Sequence, residues 1–118
     1  MISNLENSIY TILGSLGILP TYKGYNYIKD AVILILEDNN KINNVTKILY
    51  PILAERYNTT ACSIERDIGY AYRAVYNEHR FKKILGYYSS SSKLTNSNFI
   101  ALLVQKIKLT LIANQSEL

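Results

Sequence analysis

Between Tyr50 and Asn77 the chain reads YPILAERYNTTACSIERDIGYAYRAVYN, and this stretch limits the possible fold more than any other. An apolar-periodic run ends in ILAERY, a polar break follows at Asn58-Thr59-Thr60, and a second helical period starts at once. Ala54 is small and lies four residues before Asn58, which suits two helices crossing closely with the chain turning through a residue that tolerates a left-handed backbone. Thr60 is the expected N-cap of the second helix, with Thr59 offering a second side-chain oxygen and Glu65 near the positive end of the helix dipole. The pattern is that of a helix-turn-helix.

The second helix is expected to run from Ala61 to Asn77. Ile64, Ile68, Ala71 and Val75 recur at core spacing, while Ser63, Arg66, Tyr70, Arg73 and Asn77 recur on another face. A polar face carrying two arginines and an aromatic on the outer helix of such a motif is a candidate reader of base edges.

The rest of the sequence supplies a frame for this pair. Asn4 can cap a first helix carrying Leu5, Ile9, Ile12, Leu13 and Leu16, punctuated by Gly14 and Gly17, after which GILPTYKG reads as a linker. A second helix is expected from about Thr21 or Tyr22 to Asp38, with Ile28, Ala31, Val32, Ile35 and Leu36 on its core face; a buried strand over AVILIL has no partner strand to pair with. The polar DNNKINN segment makes a turn. Pro51 removes a donor and restricts the residue before it, so a kink or a fresh helix start is expected at Tyr50. EHRFKKIL forms a short helix stopped by Gly86, the serine-rich run after it is the segment expected to be most mobile, and a last helix from about Asn96 returns Phe99, Ile100, Leu102, Leu103, Ile107 and Leu109 to the core, fraying after Leu111. The whole is expected to be one all-α domain over residues 1–118, a bundle of five to six helices.

Charge is unevenly placed. Residues 1–65 hold five Lys/Arg against six Asp/Glu, and residues 66–118 hold eight against three, within a net charge of +4. The excess begins inside the outer helix, which favours an anionic partner reached through phosphate contacts. The longest apolar run, AVILILE, is too short to span a bilayer, so no membrane role is expected, and MISNLENS lacks the pattern of a secretory leader. A single cysteine precludes an internal disulfide and fits the cytoplasm.

Catalytic chemistry has little to work with. His79 is the only histidine and Cys62 the only cysteine, so no His/Cys metal cluster can form within one chain. Cys62 is more simply a half-buried filler than a nucleophile, and the glycines lack phosphate-loop spacing. No metal, cofactor or enzymatic activity is expected. Most of the eleven tyrosines, Tyr10, Tyr25, Tyr57 and Tyr72 among them, fall near apolar helical positions and read as core or boundary residues; Tyr70, on the reader face, is the exception.

The order KGYNYIKDAV, VTKILYPILAERYNTT, IER, LGYY, LTNSNFIALLVQKIKL resembles the C-terminal DNA-binding domain of the sporulation response regulator Spo0A, across nearly the whole chain. The resemblance implies sequence-specific binding of double-stranded DNA, with Ser63, Glu65, Arg66, Gly69, Tyr70 and Arg73 as candidates for base contact and Lys47, Arg56, Thr59, Thr60 and Asn77 for phosphate contact. It also implies head-to-tail dimers on tandem sites and a contact with the RNA polymerase sigma factor through the segment from His79 to Tyr88, here carrying His79, Arg80, Lys82 and Lys83. The departures fall on the reader: Ser63 and Gly69 stand where the family presents arginines, and Tyr70 where it presents a histidine. No receiver domain is expected within this sequence, which fits either an excised domain or a small standalone protein. The alternative from another class is a protein-interaction module that pairs with a Spo0A-like regulator or polymerase without reading DNA.

Overall fold

The computed structural model describes residues 4–86 and 94–116; the serine-rich run expected to be mobile lies outside them, as do Tyr87 and Tyr88. Among the described residues there are six α-helices and no strand. The first, α1 (Asn4–Leu16), buries Ile9, Ile12, Leu13 and Leu16. Gly17 ends it with φ +92°, a left-handed conformation that lets the Ile18 amide donate to the Leu13 carbonyl at 2.9 Å.

The segment expected to be a plain linker is more structured than its composition implies. Ile18 is fully buried in it. Two tight turns, Tyr22 N to Leu19 O and Tyr25 N to Tyr22 O, follow, so α2 (Tyr25–Glu37) begins three to four residues later than its sequence pattern suggests. Helix α2 buries Ile28, Ala31, Val32, Leu34 and Ile35 and packs against the helix-turn-helix on one side and the last helix on the other. It is the central strut.

The polar turn after α2 is a 3₁₀ helix, Asn39–Asn44, capped by the Asp38 carboxylate, which accepts from the Asn40 amide at 3.1 Å and from Lys41 Nζ at 3.2 Å. A widened, π-type turn over Val45–Leu49 leads into α3 (Tyr50–Arg56), with Pro51 in its first turn. Proline lacks an N–H and its ring crowds the carbonyl four residues back; the wide turn gives that ring room, and the fresh start falls at Tyr50 as the sequence predicts.

Helices α4 (Ala61–Arg73), α5 (Glu78–Leu85) and α6 (Asn96–Ser116) complete the chain. Gly86 closes α5 with φ +72°, and its amide donates to the Lys82 carbonyl. Helix α6 buries Phe99, Ile100, Leu103, Val104 and Ile107 against α1, α2, α4 and α5. Two expectations fail here. Leu109 is exposed rather than core, and the helix continues to Ser116 where fraying was expected after Leu111, since nothing in its sequence breaks it. Tyr10, read as a core or boundary residue, is also exposed, at 57%: one residue after Ile9, it is rotated by about 100° and so stands off the buried stripe formed by Ile9 and Leu13.

Candidate nucleic-acid interface

The turn between α3 and α4 is built by two local devices. Asn58 stands alone among the described non-glycine residues with positive φ, at 52°. That conformation allows the Thr59 amide to reach back to the Ala54 carbonyl at 2.9 Å and the Asn58 amide to the Glu55 carbonyl at 3.3 Å, the paired bonds of a Schellman helix end. Two residues later the Thr60 hydroxyl oxygen accepts from the Ser63 amide at 3.1 Å, the expected N-cap. The two devices fix the angle between α3 and α4.

Ile64, Ile68, Ala71 and Tyr72 hold α4 on the core. The helix stops at Arg73, four residues short of the expected end. This corrects the placement of Asn77: it lies off the reader helix and caps α5, its side-chain oxygen accepting from the Arg80 amide at 2.9 Å. The short polar side chain three residues before a helical amide is a capping signal, and the apolar period passing through Val75 hid it.

The outward crest of α4 carries Ser63, Arg66, Tyr70 and Arg73, of which Arg66, Tyr70 and Arg73 are exposed. Arg66 is held low on the helix: its Nη2 donates to Ser63 Oγ at 3.3 Å, and its Nε lies 3.7 Å from Asp67 Oδ1. Ser63 Oγ also accepts from the Thr60 hydroxyl at 3.0 Å, so cap, serine and arginine form one chain of bonds. A guanidinium has five N–H donors, and this arrangement leaves donors for a partner. Cys62 is exposed rather than half-buried.

Gly69 is buried, and what covers it is Arg73. A β-carbon built on Gly69 would lie 1.9 Å from Arg73 Nη2. The guanidinium folds back over the glycine, donates from Nη1 to the Tyr72 hydroxyl at 3.2 Å and sits 5.3 Å from the centre of the Tyr72 ring. Tyr72 is in turn fixed: its hydroxyl donates to the Leu94 carbonyl at 2.7 Å and its ring stacks on Phe99. Burial pushes the Tyr72 hydroxyl pKa upward, which the neighbouring arginine partly opposes.

Two grooves flank the crest. One, of about 520 Å³, separates α4 at Glu65, Arg66 and Arg73 from the start of α6 around Asn96. The Asn96 side chain spans the base of this region, donating from Nδ2 to the Glu65 carbonyl at 2.8 Å and to the Tyr50 hydroxyl at 3.3 Å. The other groove, of about 330 Å³, lies between Tyr22 and Lys23 on one side and Tyr70 and Ala74 on the other. At its floor Gly24 presses on the backbone of α4: a β-carbon there would be 2.3 Å from the Asp67 carbonyl oxygen. Nothing local in the sequence marks Gly24, Asn96 or Tyr72 as positioning residues, apart from the glycine that stands directly before the helical pattern in KGYNYIKDAV.

The phosphate candidates differ in how far the fold already engages them. Lys47 is exposed on the turn before α3. Thr59 and Thr60 are committed to the turn, the first through its amide and the second through its side chain. Arg56 pairs with Asp30 at 3.3 Å, and the Tyr57 hydroxyl donates to the same carboxylate. That buried acid ties α2 to α3. Of the sigma-contact candidates, His79, Lys82 and Lys83 are exposed on α5, whereas Arg80 donates from Nη1 to the Leu16 carbonyl at 3.1 Å and so caps the negative end of α1.

The sequence matches, over residues 9–107, the family described as Sporulation initiation factor Spo0A C terminal. The chain belongs to that family. The match runs from the middle of α1 to the last buried turn of α6, so it takes in the whole Spo0A C-terminal core together with the helix-turn-helix. The family is one of DNA-binding effector domains and not of enzymes. No described helix is long and apolar enough to cross a membrane.

Proposed function

We propose that this chain is a sequence-specific double-stranded DNA-binding transcription regulator that inserts α4 into a major groove. The observation that carries the reading is the crest of α4, where Arg66, Tyr70 and Arg73 stand exposed on a helix whose opposite face is fully engaged in the core. An α-helix fits the major groove, and arginine forks match the acceptors of guanine. Glu65, exposed beside Arg66, supplies a carboxylate that can accept from a cytosine amino group. Lys23, which lines the smaller groove beside Tyr70, and Lys47, exposed on the turn before α3, are the cations offered to the phosphate strands, which position a reader without specifying sequence. Asn77, Thr59, Thr60 and Arg56 are weaker phosphate contacts in this reading, because each already serves the fold.

Binding as head-to-tail pairs on tandem sites, and a polymerase contact through His79, Lys82 and Lys83, extend the proposal to assembly and output. The deciding experiment is selection of bound sequences from a random duplex pool, followed by affinity measurement on the enriched site and on a scrambled one. Enrichment of one motif with a clear preference over the scramble supports the reading. A protein that enriches nothing, yet forms a stable complex with a Spo0A-like regulator or polymerase, refutes it in favour of the interaction module.

A further inference from the structure

Side chains on a helix lean toward its N-terminus, so a long residue covers the surface over the turn before its own Cα. On α4 the spot over Gly69 is claimed by the side chain one turn later. With any β-carbon at position 69 the Arg73 guanidinium could not lie where it does, since Nη2 would be 1.9 Å and Cζ 2.7 Å from that atom. Glycine inside a helix is unfavourable relative to alanine, and the pocket it leaves for Arg73 is a reason for its presence. The position is also braced from the side. Tyr72, buried and tied to Leu94, offers its hydroxyl oxygen to Arg73 Nη1 and its ring face to the cation.

The outcome concerns where positive charge stands on the reader. Arg66 and Arg73 are two helical turns apart along the backbone, yet both line the groove between α4 and α6. Folding back over Gly69 moves the Arg73 charge toward Arg66 by about one turn, roughly 5 Å. Two like charges facing one groove, with Glu65 beside them, favour an anionic or acceptor-rich occupant.

We propose that Gly69 and Arg73 act as one specificity element, in which the missing side chain at 69 allows Arg73 to present its guanidinium at the level of position 69 and there to select a guanine. This rests on the duplex-reading function proposed above. Arg73 is the base-contacting member and Gly69 the positioning one.

The test is random-duplex selection with the full chain and four variants: Arg73→Ala, Arg73→Lys, Gly69→Ala, and the double variant Arg73→Ala with Gly69→Arg. Arg73→Ala is expected to lose preference for one guanine and roughly 5- to 150-fold affinity on the wild-type site. Arg73→Lys does not restore that preference, because an ammonium lacks the bidentate fork. Gly69→Ala weakens the same base preference while leaving the helix at least as stable. The double variant regains a guanine at the same position, since it delivers a guanidinium to the same place from the other residue. If the wild type enriches a motif but Gly69→Ala leaves its preferences intact, or the double variant selects a base elsewhere, the paired element is overturned and the reader function stands. If the wild type enriches no motif, both fall together.

Discussion

Replacing Gly24 with alanine is the most direct test of how the reader helix is seated. Gly24 has φ −80° and ψ −6°, a conformation that alanine adopts freely, so backbone strain plays no part. The obstacle is contact. The added carbon would stand 2.3 Å from the Asp67 carbonyl oxygen, 2.8 Å from its carbon and 3.1 Å from the Ala71 β-carbon. Ordinary van der Waals contact begins at 3.4 Å, so α2 and α4 must part by about 1.1 Å along this line. The first obstacle is backbone, and no rotamer change relieves it. Overpacking of this kind costs about 1–3 kcal/mol, against a gain of about 0.4–1 kcal/mol from the stiffer unfolded chain. A net loss of about 1–2 kcal/mol is expected, read as a lower urea midpoint with an unchanged slope. Gly14→Ala is the matched control: a β-carbon there meets nothing within 4 Å, and on helix propensity it stabilises by about 0.8–1 kcal/mol. Gly24→Ala should in addition weaken duplex binding, because α4 shifts relative to Lys23 across the smaller groove. If Gly24→Ala proves as stable as wild type, the close approach of α2 to α4 is wrong.

Three further outcomes are expected. Thr60→Ala removes the N-cap of α4 and should cost about 1 kcal/mol in chemical unfolding; no measurable change would mean that Ser63 or water replaces the cap. Arg66→Ala should cost about 1–3 kcal/mol on the preferred duplex and little on random DNA, while wild-type affinity falls with salt at a slope of about 0.9 per phosphate neutralised; equal loss on all duplexes would make Arg66 a phosphate contact. Burial, then the hydrogen bond to Asp30, pushes the Tyr57 pKa from 10.0 up to about 12. The fold therefore retains a proton that the unfolded chain releases, so this contribution is complete below pH 10 and is lost as pH rises through about 12. Tyr57→Phe should lose less stability than wild type across that window in alkaline unfolding titrations, and an identical decline would refute the assignment.

The helix-turn-helix was legible because its signals are local. Asn58 and Thr60 act within four residues of themselves, so their identities announce the left-handed turn and the cap directly. The core stripes of α1, α2 and α4 follow from spacing for the same reason. What the sequence concealed is long-range. Nothing adjacent to Gly24 says that its neighbour will be the Asp67 backbone, and nothing adjacent to Asn96 says that its amide will reach Glu65 and Tyr50. Gly69 shows in the sequence only as a missing arginine on the outer face, and its reason lies in the path taken by Arg73, a rotamer choice fixed by Tyr72. Arg80 and Arg56 looked like surface cations available to partners; a carbonyl of α1 and the carboxylate of Asp30 had already engaged them.

The amide of Asn96 has a consequence for how the protein comes into being on the ribosome. Its bonds to Glu65 and Tyr50 join residues 31 and 46 positions apart, and the Tyr72 hydroxyl is held by a carbonyl 22 positions downstream. A nascent chain that has emerged only through Arg73 contains both helices of the motif but none of these clamps. Nor does it have Phe99, on which Tyr72 stacks. Helix α4 already packs on α2 and α3 before then, but the bonds that fix Tyr72 and the Glu65 carbonyl form only after the last helix arrives, so fragments ending before Leu94 should leave the crest of α4 less firmly braced. The C-terminal third of the chain thus finishes a surface whose residues were all synthesised well before it.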